Sequence, residues 1–165
     1  MKRMRVLPLL LMVGVLLVAC QKDATKEWEK FSGYTIDDIK GTYNYSNVSG
    51  VFDDLTENSY CHLCDDALVT IASSLISTSS IDFTVNCPKA VFKKTFSGRP
   101  TLNDNDFLIS MSIPTGEVHP SYELTAYVYR NAKGDIRLHG FARHVHHPGT
   151  EEEYKVNYYF DVLKK

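Results

Sequence analysis

The chain has 165 residues, 44% of them hydrophobic, and carries 18 Lys and Arg against 20 Asp and Glu. That length suits one domain with its own core. No basic stripe occurs, which argues against nucleic acid as a partner, and there is no repeat or low-complexity tract.

At the N-terminus, Lys2, Arg3 and Arg5 precede an apolar run from Val6 to Val18. The run has the length of an export signal and is short for a membrane-spanning helix. It ends Leu17-Val18-Ala19-Cys20. Positive charge, apolar run and a small residue before cysteine together resemble the lipobox of bacterial lipoproteins. The resemblance implies removal of residues 1–19, acylation of Cys20 (palmitate being a typical chain) and anchoring to a membrane by lipid. Each buried acyl methylene contributes about 0.8 kcal/mol, so several chains hold firmly. Residues 20–33 then form the lipidated N-terminus and a polar tether, and residues 34–165 a single β domain. The signal takes three of the basic residues, leaving 15 basic against 20 acidic. Gln21, in place of Asp, is similar to lipoproteins sorted to the outer membrane of Gram-negative bacteria, so the expected location is the cell envelope. There the folded part lies where disulfides persist.

Beyond the tether, strand periodicity dominates. Strands are expected near 39–48, 67–73, 81–87 and 107–113, with 51–60 unassigned. In the third of these, Ile81, Phe83, Val85 and Cys87 alternate with Asp82, Thr84 and Asn86. The stretch around 67–76 fits helix and strand spacing alike, and the β-branched Val69, Thr70 and Ile71 favour strand. Three last strands, near 121–130, 135–146 and 152–163, read as an antiparallel meander with a hairpin loop at Asn131 to Gly134. Pro88 to Gly98 interrupts the pattern: Pro88 suits a first helical position, Phe92 and Phe96 lie four apart, and Gly98 suits a helix end. A short helix is therefore expected near 88–97. The fold class that results is mainly β: about eight strands in an antiparallel barrel or a two-layer sandwich, with one short helix.

The segment YTIDDIKGTYNY, Tyr34 to Tyr45, places a helical turn over Ile36 to Ile39 and enters a strand through Gly41-Thr42-Tyr43. It resembles the G-x-W entry of lipocalins, with Tyr43 where those carry Trp. The resemblance implies a calycin-type barrel that binds a small apolar or amphipathic ligand, or a partner at its rim.

The candidate sites begin with HGFARHVHH, His139 to His147. His144 and His146 share one face of a strand, a way to present two imidazoles to zinc or another transition metal. A third ligand would come from His119, His62 or a carboxylate; His139 and His147 fall on the other face with Arg137 and Arg143. The run Asn103 to Asp106 lacks the glycine and distal glutamate of an EF-hand and reads as an Asx-type turn. Most of the ten Tyr and eight Phe suit sheet core. No nucleophile elbow, phosphate loop or zinc-protease motif occurs, so no enzymatic activity and no cofactor are expected. With Cys20 lipidated, Cys61, Cys64 and Cys87 remain. Cys87 lies on the core side of its strand, and a disulfide is expected from it to Cys61 or Cys64. The alternative is a Cys61–Cys64 bond or redox pair, but a thiol-redox function would need a helix N-terminus and a βαβ setting. The competing functional reading is thus a metal-binding or thiol-redox lipoprotein.

Overall fold

The structure is a computed structural model that describes residues 28–46, 59–75, 77, 79–103, 108–114 and 120–165. Cys20, the export signal, His119 and residues 104–106 lie outside the described residues.

Eleven strands belong to one curled sheet. They are β1 (Trp28–Lys30), β2 (Gly41–Tyr45), β3 (Ser59–Leu63), β4 (Leu68–Ser73), β5 (Ile81–Cys87) and β6 (Phe92–Gly98), then β7 (Thr101–Asn103), β8 (Leu108–Pro114), β9 (Pro120–Asn131), β10 (Ile136–His146) and β11 (Tyr154–Lys164). The main path runs β6-β5-β4-β2-β11-β10-β9-β8-β7. The seam between the early strand β2 and the last strand β11 is therefore closed by hydrogen bonds, and the chain winds away from it in both directions. The two ends of the path stay unpaired with each other, although β6 approaches β8. The result is an antiparallel half-barrel, nearer to the expected barrel than to a sandwich. β1 extends the edge of β9 (Trp28↔Asn131), and β3 runs parallel to β11 (His62↔Tyr158).

Alternation sets the inside. On β5, Ile81, Phe83, Val85 and Cys87 are buried and the residues between them half-buried. Opposite them stand Ile109 of β8, Leu124, Ala126 and Val128 of β9, Leu138 and Ala142 of β10, and Phe160 and Val162 of β11, all fully buried. Burial of each such side chain contributes about 1.5–3 kcal/mol relative to exposure. Gly140 has no substitute here: a Cβ would stand 2.1 Å from the Thr125 carbonyl oxygen and 2.7 Å from the Ala126 Cα. The glycine lets β9 and β10 approach beside the Phe160 ring, its partner across β11.

One end of the half-barrel is closed by α1 (Ile36–Ile39). Thr35 caps it, accepting a bond from the Asp38 amide while the Asp38 carboxylate accepts from the Thr35 amide and hydroxyl. Those bonds hold the Asp38 carboxyl below its usual range. The buried Tyr43 hydroxyl donates to the Ile39 carbonyl and ties the helix to β2. Burial pushes the Tyr43 phenol well above its usual value.

The helix expected over 88–97 is corrected. Pro88–Ala90 forms a single 3-10 turn, and Val91 takes a left-handed φ of 53°. Phe92–Gly98 is strand β6. Residues four apart share a face in both helix and strand, so Phe92 and Phe96 point inward either way. Pairing with β5 decides, helped by a hydroxyl bond of 2.8 Å between Thr84 and Thr95. The Ile36–Ile39 turn expected from YTIDDIKGTYNY is present, and 68–73 is strand.

Candidate functional site

At the end of the inner face away from α1, the lining changes from aliphatic to aromatic. Tyr122 of β9, His144 and His146 of β10, and Tyr154 of β11 follow the same inward register as the core residues, because His144 is opposite both Tyr122 and Val156, and His146 is opposite Tyr154. Their rings form a continuous stack. Tyr122 and His144 lie 4.3 Å apart and 9° from parallel, His144 and His146 lie 3.7 Å apart at 44°, and His146 and Tyr154 lie 4.3 Å apart at 4°. The Lys94 ammonium of β6 lies 3.7 Å from the centre of the Tyr122 ring, a cation–π contact across the half-barrel. Tyr60 of β3 meets Tyr154 edge-on at 6.1 Å and is 68% exposed. Beside this row, Tyr158 is sandwiched between Phe92 at 3.8 Å and His62 at 5.3 Å.

This end is electrostatically distinct. Burial, then the neighbouring His146, then Lys94 lower the His144 pKa below its usual value, so the imidazole is neutral at neutral pH. Burial, and next the nearby Tyr122, raise the Tyr158 phenol. The stacked rings shield one another's faces and leave edges, with their N–H and O–H groups, toward solvent. The surface is amphipathic: an apolar stack with a row of hydrogen-bonding tips.

The other face of β10 and β11 carries charge. The Arg137 guanidinium grips the Asp161 carboxylate with two hydrogen bonds, and the His139 ring lies 3.4 Å from the same carboxylate. Arg137 and Asp161 are both buried, and Trp28 lies under Arg137. Burial pushes the Asp161 carboxyl up, but the bonds and charge of Arg137 and His139 prevail and hold it below its usual range. Arg143 donates to Asn157 and to Glu123.

Cys64 and Cys87 are joined in a disulfide with Cα atoms 5.3 Å apart. This is one of the two pairings expected for Cys87. It ties the end of β3 to the end of β5 and takes Cys64 out of the C-x-x-C pair, leaving Cys61 exposed on β3. In the chain-entropy model a loop of this size contributes about 3 kcal/mol.

His144 and His146 thus share a face, as their spacing implies, while His62 stacks on Tyr158 instead of joining them. Among the described residues no group of three His, Cys, Asp or Glu is placed to hold a metal ion. The core end is filled by Tyr43, Phe83, Phe96, Leu124, Leu138 and Phe160, all fully buried. At the open seam, a cleft of about 290 Å³ is lined by Ser97, Arg99, Thr101, Ser110 and Ser112 among others. Its hydroxyls and guanidinium suit a polar occupant, not an alkyl chain. Tyr60 and Tyr122 were missing from the sequence-based site; the signal for Tyr122 is the period-two run it shares with Leu124, while Tyr60 depends on a parallel pairing that no local pattern announces.

No protein-family model matches the sequence, and no curated protein and no solved structure matches it. The functional reading therefore rests on the residues themselves.

Proposed function

We propose that this is a lipid-anchored envelope protein, acylated on Cys20, that binds an amphipathic ligand at the aromatic end of a lipocalin-like half-barrel and not in its interior. The observation that carries the reading is the stack Tyr122–His144–His146–Tyr154, with Tyr60 exposed at its end. A surface that combines apolar rings with polar tips fits a partner with an apolar body and a hydrogen-bonding head. The filled core argues against an interior chamber. The lipocalin likeness draws support from the seam between β2 and β11 and from Tyr43, buried where that family carries Trp. The lipid anchor rests on the N-terminal motif alone. A thiol-redox role is weakened because Cys64 is bonded to Cys87.

Two experiments test it. Metabolic labelling with palmitate is expected to mark the wild-type chain and to fail for Cys20→Ala, which should leave the membrane fraction; unchanged labelling of that variant would exclude the anchor. For the rim, a single-chain fluorescent amphiphile is titrated into the full chain. Binding should weaken about tenfold in Tyr154→Ala, and unaltered binding in that variant would exclude the rim as the site.

A further inference from the structure

We propose that His144 and His146 form an open, two-histidine chelate for a first-row transition-metal ion at the aromatic end of the half-barrel. This goes beyond the amphiphile reading and does not depend on it.

The argument begins with β10. Residues two apart on a strand project to the same side, so His144 and His146 both enter the stack, and their ring centres lie 3.7 Å apart. Imidazole nitrogens bind zinc at about 2.0–2.1 Å, so two neighbouring ligands of a tetrahedral ion stand about 3.4 Å from each other. The rings are already at that separation, and a modest rotation turns one nitrogen of each toward a single ion. Tyr122 packs on the far face of His144 and Tyr154 on the far face of His146. Both imidazoles are thereby held side by side before any metal arrives, which reduces the ordering that binding requires.

The surroundings have both signs. The β10–β11 loop returns the chain from His146 to Tyr154, its register partner, and carries Glu151, Glu152 and Glu153 at the same end of the hairpin. Glu151 and Glu152 are exposed, whereas Glu153 pairs with Lys155 and accepts from the Gly149 amide. Their charge attracts a cation to this end. Lys94 opposes it, with the Tyr122 ring between its ammonium and His144. No third ligand is in place among the described residues. The pair supplies two positions of the coordination sphere, and water or an incoming donor supplies the rest. That is the arrangement of an exchangeable site, since structural zinc sites are closed by four protein ligands. Imidazole donors favour copper, nickel and zinc, with copper bound most tightly among divalent ions.

The test is titration of the full chain, purified in detergent, with Ni²⁺ and Cu²⁺. One equivalent is expected to bind. His144→Gln and His146→Gln should each weaken binding about tenfold or more, and the double change should abolish it. Cys61→Ser and His62→Gln, which spare the pair, should leave affinity within about twofold. A readout on the unaltered protein guards against misfolded variants: substoichiometric Cu²⁺ should broaden the ring proton signals of His144 and His146 before those of His62, His139 and His147. Unchanged affinity in the double variant, no uptake at millimolar metal, or broadening that begins at another histidine would each overturn the proposal.

Discussion

Strands β9, β10 and β11 run through two chemically different ends of one inner face. At the end near α1 they contribute Leu124, Ala126, Val128, Leu138, Phe160 and Val162, all fully buried. At the far end the same register contributes Tyr122, His144, His146, Tyr154 and Tyr158, which are half-buried or exposed. Backbone pairing is continuous across the change. The sheet therefore does not require the aromatic end: three long strands are already fixed by the aliphatic one. Side chains that remain partly wet on an inward face, and stack on each other, are better suited to recognition than to stability.

The contrast breaks first at the core. Phe160→Ala removes a fully buried ring opposite Gly140 and should cost about 3–5 kcal/mol in denaturant unfolding; a loss below about 1 kcal/mol would mean that this end is not the core. On the outer face, Asp161→Asn leaves the buried Arg137 without its counter-charge and should cost about 3 kcal/mol or more. Because the Asp161 carboxyl is held below its unfolded value of about 3.9, its contribution is complete above that pH. It fades as pH falls through the lower folded value, and acid unfolding of the variant should lack this step. Removing the Cys64–Cys87 bond, by Cys64→Ser with Cys87→Ser, should cost about 3 kcal/mol. Restored wild-type stability in that double variant would leave the disulfide without a structural role.

The aromatic end should respond more weakly. The pKa of His144 is lowered in the folded state, so the unfolded chain takes up its proton first. Stability is then complete above the usual histidine value of about 6.5 and declines as pH falls from there to the lower folded value. His144→Gln should flatten the unfolding profile over that window by about 1 kcal/mol or less, and an unchanged profile would assign the dependence to another group.

The fold was largely legible because alternation is a local signal. The Ile81–Cys87 run and the last three strands carry their inward face in plain order, and their turns are marked by Asn131 to Gly134 and Pro148-Gly149. Phe92 and Phe96 misled because a separation of four satisfies two periods at once. Strand β3 was illegible for a different reason: it is fixed by parallel pairing to β11, far off in sequence, and its own residues are mostly exposed. The site was half legible. His144 and His146 declared their shared face through spacing, but the stack around them depends on registers between β9, β10 and β11 that only the pairing sets. Cys87 was recognisable as buried, whereas the choice of Cys64 over Cys61 follows from β3, on which Cys64 points inward and Cys61 outward.

The central claim is that stability resides at one end of the inner face and recognition at the other. The most direct measurement compares unfolding and amphiphile binding in a single rim variant, Tyr60→Ala with Tyr154→Ala, in the full chain. The account predicts loss of amphiphile binding with unfolding stability within about 1 kcal/mol of the wild type. Retained binding, or a loss of stability as large as that of Phe160→Ala, would contradict it.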